Sequence, residues 1–194
     1  MEVSTTLDAY TLEGSADHAQ MMGTYERSRA HDAITIDGSP VYVMSNLDNY
    51  LFRGPSGEWM VTEDENNLAS GAFLLRTTRP ADFPNEGGLA WQYANVCGTM
   101  VDTQAVSCTG WQQRVDEFTG GTCFYDNTTG RSMWKRERGR THEMIFLPPG
   151  WSVVADQHGH HEWHYVNAES GELLETLPEN SAVESRKVAL GTRD

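Results

Sequence analysis

Residues Gly120–Trp134 read GGTCFYDNTTGRSMW. Phe124 and Tyr125 form an aromatic pair, Asp126–Gly130 carry turn chemistry, and Trp134 follows. Asp, Asn and Gly supply the local hydrogen bonds and backbone angles of tight turns, while aromatic flanks suit a pleated surface. The stretch therefore predicts two antiparallel strands joined by a short turn, the back half of a very small sheet. Strand alternation puts Cys123 and Tyr125 on one face and Phe124 on the other.

Working outward, two segments open with Gly-Trp: GWQQRVDEFTGGTCFYDNTTGRSMWKRE and LPPGWSVVADQHGHHEWHYVNAESGELLETLPE. Both resemble WW domains. The resemblance implies a three-stranded antiparallel sheet in which the first Trp packs on an aromatic and a trailing Pro. A second Trp and a middle-strand aromatic then form a groove for proline-rich, polyproline II peptides. In the second segment the implied core is Trp151, Tyr165, Asn167 and Pro178, with Leu147 and Pro148 leading. Its groove is altered: His164 replaces the groove aromatic and Glu175 the second Trp. In the first segment Trp111 and Phe124 match the core pair and Trp134 stands in the groove position. Cys123 replaces the groove aromatic, Asp126 takes the usual Asn place, and Glu137 replaces the clasping Pro. The implied peptide-facing set is Cys123, Tyr125, Asn127 and Trp134. A one-residue register shift would instead put Phe124 in the groove and Tyr125 in the core. A competing expectation is that Trp134 packs on a neighbouring module.

The first 107 residues read as short strands. AYTLEG, GTYERS and AITIDGSPVYVMS are strand candidates, with Ile34 and Ile36 assigned to the last. Tyr50–Arg53 and Glu58–Thr62, around Gly-Pro-Ser-Gly, form a hairpin candidate. GAFLLRTT and GLAWQYAN add two more; ENNLASG and RPADFPNEGG read as loops, and ADHAQMMG as a short helical turn. The expected architecture is all-β. Residues 1–107 form an antiparallel barrel or meander, 108–138 the first WW-like module, 145–179 the second, and 180–194 a polar tail. RERGRTHEM reads as a basic linker, its cations set to pair internally or meet an acidic partner.

The chain has 194 residues and a formal net charge of −14, which argues against nucleic acid or an anionic bilayer as partner. No apolar run is long enough for a membrane span, and MEVSTTLDAY lacks the pattern of a signal peptide. A cytoplasmic or other intracellular location is expected. Cys97, Cys108 and Cys123 are too few for a disulfide framework. Asn127-Thr128-Thr129 is a glycosylation sequon, relevant only to a secreted chain. His158, His160, His161 and His164 are weak metal candidates, since imidazoles suit zinc, nickel or copper but no Cys pair accompanies them. No cofactor is expected. No nucleophile–base motif is present, and His18 and His31 neighbour acids only in sequence. The expectation is a non-enzymatic protein–protein interaction or scaffold protein with a protein or proline-rich peptide as partner. The alternatives are a structural subunit without a free groove and a metal- or carbohydrate-binding protein.

Overall fold

Strands alternate with turns throughout, because β-branched and aromatic clusters are punctuated by Gly, Pro, Asn and Asp. The computed structural model describes residues 7–31, 33–35, 38–44, 47–95, 97–103, 105–138, 141–155 and 163–187. The chain is all-β and divides into two compact units, Met1–Gly110 and Trp111–Asp194.

The first unit carries β1 (Ala9–Glu13), β2 (Gly23–Arg27), β3 (Tyr42–Met44), β4 (Tyr50–Arg53), β5 (Trp59–Thr62), α1 (Asn67–Ser70), β6 (Leu75–Thr77), β7 (Trp91–Ala94) and β8 (Met100–Thr103). Each strand pairs antiparallel with the next, giving a meander in chain order. The expected hairpin is present, with Arg53 opposite Trp59. Alternation sends Leu51, Trp59 and Val61 into one cluster with Tyr10, Tyr42, Leu75 and Trp91. It sends Tyr50, Phe52 and Met60 into another with Val41 and Leu68. β4 and β5 are thus buried on both faces. Gly14 permits a close approach: a Cβ there would lie 1.8 Å from the Ala105 carbonyl oxygen, at a φ of +108°.

Three local readings differ from expectation. ENNLASG contains α1, a single turn capped by Gly71 at φ +71°. Ile34 lies in a turn rather than a strand, and Ile36 lies outside the described residues. β8 had no assigned strand; its MVDT sequence is short and only partly buried.

In the second unit the elements are β9 (Ser107–Val115, entering from the first unit), β10 (Thr122–Tyr125), β11 (Ser132–Arg138), β12 (Thr141–Leu147), β13 (Trp151–Ala155), β14 (Trp163–Asn167), β15 (Leu173–Leu174) and β16 (Ala182–Lys187). One antiparallel sheet runs β16-β12-β11-β10-β9, and a separate three-stranded sheet runs β13-β14-β15. The described part of the expected linker is therefore strand, with Gly139 and Arg140 outside the described residues: β11 and β12 pair from Ser132–Leu147 to Arg138–Thr141. Part of the expected tail is strand too, since β16 pairs with β12 from Phe146–Ala182 to Thr141–Lys187. Charged residues on these strands conceal the alternation. Ile145 and Leu147 are buried on one face of β12, Met144 and Phe146 on the other.

Candidate functional site

The turn in the opening stretch is built around Asp126. Its carboxylate accepts from the Thr128 N–H at 2.8 Å and from the Thr129 hydroxyl, and its carbonyl accepts from the Gly130 N–H at 2.9 Å. Asn167 repeats the device in the small sheet, accepting at Oδ1 from the Glu169 and Ser170 N–H groups at 3.0 Å. The Gly171 N–H then bonds the Asn167 carbonyl at 2.8 Å. Gly130 and Gly171 both take left-handed angles, φ +75° and +72°. An acceptor side chain followed four residues later by such a glycine is a shared turn chemistry.

The register fixes which residues share a face. Phe124 pairs with Gln113 and Met133, and Met133 with Phe146. Trp111, two residues before Gln113, reaches the same side, with its ring 5.7 Å from that of Phe146. Phe124 therefore lies on the Trp111 face, without the one-residue shift. Tyr125 pairs with Gln112 and Ser132, so Cys123, Tyr125 and Trp134 share the opposite face.

That opposite face is occupied by the small sheet. Cys123, Trp134, Ile145 and Leu147 form one buried cluster with Val153 and Tyr165, flanked by Trp151, Trp163 and Leu174. Trp134 is 4% exposed, and its indole N–H donates to the Ser132 hydroxyl at 2.9 Å. A Cβ on Gly121 would meet the Trp134 ring at 2.8 Å, so glycine lets the backbone lie against the indole. Polar ties hold the margins. The Ser132 hydroxyl donates to the Trp151 carbonyl at 3.2 Å, and Ser152 Oγ bonds Asp116 Oδ1 at 3.0 Å. Arg136 stacks 5.2 Å over Trp163 and donates from Nε to Glu143 at 2.7 Å. Burial pushes the Cys123 thiol up to about 11, with the Asp116 charge adding to the effect and Arg114 opposing it. Burial likewise raises the Tyr165 phenol.

The sequence-predicted residues are thus partly brought together. Cys123 and Trp134 sit side by side in a core, and neither offers a free wall to a peptide. Tyr125 is half-buried and Asn127 lies exposed in the turn, accepting from Arg114 at Oδ1 and donating to Gln112 at 3.2 Å. In the second segment Tyr165 and Pro178 are buried, while Trp151 and Asn167 are half-buried. His164 pairs with Val154 on the outer face of the small sheet. His158, His160 and His161 lie outside the described residues. Among the described residues no group of three or more His, Cys, Asp or Glu is placed to hold a metal.

Sequence reasoning missed two features. In the first unit, Ser28 Oγ bonds His31 Nδ1 at 2.7 Å, and His31 Nε2 lies 3.3 Å from Glu65. This hydroxyl–imidazole–carboxylate chain ties two loops together. Burial raises the neighbouring Tyr50 phenol, and Glu65, Asp48 and Asp64 raise it further. The same negative field would oppose a developing oxyanion. The second feature is a groove of about 460 Å³ whose walls include Val115, Phe118, Tyr125 and Trp151. Gly130 and Gly150 also line it. Arg114 lies 3.7 Å over the Tyr125 ring. A signal for it was present: Phe118 falls inside a turn, DEFTGG, where no strand face is available to hide an aromatic. No protein-family model, curated protein or solved structure matches the chain.

Proposed function

We propose that the chain is a non-enzymatic protein–protein interaction or scaffold protein whose two WW-like modules act as one body. The observation behind the one-body arrangement is the burial of Trp134 against the small sheet, which equally favours the alternative of a structural subunit without a free groove. A free proline-reading groove needs that indole exposed, because a flat apolar wall must meet the proline rings. In this reading the peptide face of the first module has become the packing surface for the core face of the second. That exchange also compensates for the missing clasp at Glu137 and for the absence of a leading Leu-Pro before Trp111. Modules this small have little core of their own, so mutual burial is their most direct source of stability.

The test is a titration of the full chain with proline-rich peptides, following the Trp134 indole by NMR. The expected result is no shift of that signal at millimolar peptide. A saturable shift at Trp134 would sink the reading and restore a proline-stacking groove. A shift confined to Tyr125 and Phe118 would leave the reading intact and locate contact elsewhere on the same body.

A further inference from the structure

Resting on the proposed function, we infer that the groove walled by Val115, Phe118, Tyr125 and Trp151 docks an extended partner segment carrying an apolar anchor flanked by Lys or Arg. The groove presents exposed apolar side chains on a rigid support. Phe118 is 60% and Val115 61% exposed, although each could bury substantial area. The loop that presents Phe118 is fixed. Asp116 Oδ2 accepts from the Thr119 N–H at 2.8 Å and from its hydroxyl at 2.6 Å. The Asp116 N–H donates to the Gly121 carbonyl at 2.7 Å, and the Gly120 N–H to the Asp116 carbonyl at 2.8 Å. An aromatic held out on a preorganised loop beside a groove loses little conformational freedom when a partner covers it.

Charge selects basic flanks for that segment. Asp116 and Glu117 line the groove, against a single cation, Arg114. The Arg114 guanidinium is already engaged over Tyr125 and with Asn127. Glu117 is exposed and makes no hydrogen bond or ion pair among the described residues. The whole chain carries −14, so the long-range field also favours a basic segment and repels an acidic one.

The experiment uses the full chain and two fluorescent peptides with one apolar core, flanked in one by lysines and in the other by glutamates. The lysine-flanked peptide is expected to bind about five- to tenfold more tightly, with the difference shrinking as salt rises. Phe118→Ser, at an exposed site, is expected to weaken it about tenfold or more. Glu117→Lys is expected to narrow or reverse the preference between the peptides while leaving the fold intact. Equal binding of both peptides, or unchanged binding to Phe118→Ser, overturns the inference but leaves Trp134 buried and the proposed function standing. Absence of binding by either peptide at millimolar concentration also overturns the inference. Peptide binding that instead shifts the Trp134 indole contradicts the proposed function itself.

Discussion

What covers Trp134 decides what it can do. The resemblance to WW domains would make it a ligand wall, yet its ring packs in one buried cluster with Val153 and Tyr165 within the same unit. Replacing it by Ala would remove a buried aromatic and leave a cavity, so Trp134→Ala should destabilise the second unit by about 3–5 kcal/mol. A lowered denaturant midpoint checks this, with Phe118→Ser as an exposed control changing the unfolding free energy by only about 0.5 kcal/mol. Cys123 supplies a second residue-scale prediction. Its thiol sits at about 11 rather than 9.0, and the side chain is 3% exposed. Under native conditions at mildly alkaline pH, alkylation of Cys123 should be slower than that of exposed Cys97 by about a hundredfold or more, with the difference vanishing in denaturant. The same shift sets a pH dependence. Between 9.0 and about 11 the unfolded chain gives up a proton that folded Cys123 retains, so stability falls as pH rises through that window. Cys123→Ala should flatten this part of the melting-temperature profile.

At the scale of elements, the turns were legible and the charged strands were not. The Asp126 turn and the Tyr50–Thr62 hairpin follow from Asp, Asn, Gly and Pro acting locally, so the sequence alone located them. β11 and β12 pair as sequence neighbours, while β16 depends on pairing with the distant β12, and the surfaces of the three carry Lys135, Arg136, Glu143 and Glu184 among the apolar residues. A run such as RERGRTHEM has the composition of a linker, yet Arg136–Arg138 pair with Thr141–Glu143, and Thr141–Met144 pair in turn with Glu184–Lys187. The same limit applied to the candidate site. The Cys123–Tyr125–Trp134 face followed from alternation, and packing of Trp134 on a neighbouring module was one of two open expectations; which sheet covers it is a tertiary fact that local sequence does not decide. Two predictions belong here. Asp126→Ala leaves the Thr128 N–H and Thr129 hydroxyl without their acceptor and should cost about 1–3 kcal/mol, read from chemical denaturation. Glu143→Pro removes a ladder donor from a strand paired on both sides and should unfold much of the second unit by circular dichroism. A flexible linker would accept that proline with little change.

At the scale of the whole molecule, the all-β chain presents two units, and the account of function rests on the second. Its five-stranded run and its three-stranded sheet share one buried cluster, so the three-stranded sheet should not be stable without the other. Residues 145–179 alone are expected to lack the near-ultraviolet dichroism of ordered tryptophans, whereas the full chain shows it. The most direct test of the central claim is hydrogen exchange at the Trp134 indole N–H in the full chain, followed by NMR. That group is buried and bonded to Ser132, so exchange should be slower than at an exposed indole by orders of magnitude and should require opening of the two sheets. Exchange at the rate of a free indole would mean that the Trp134 face is open to solvent, and would contradict the account.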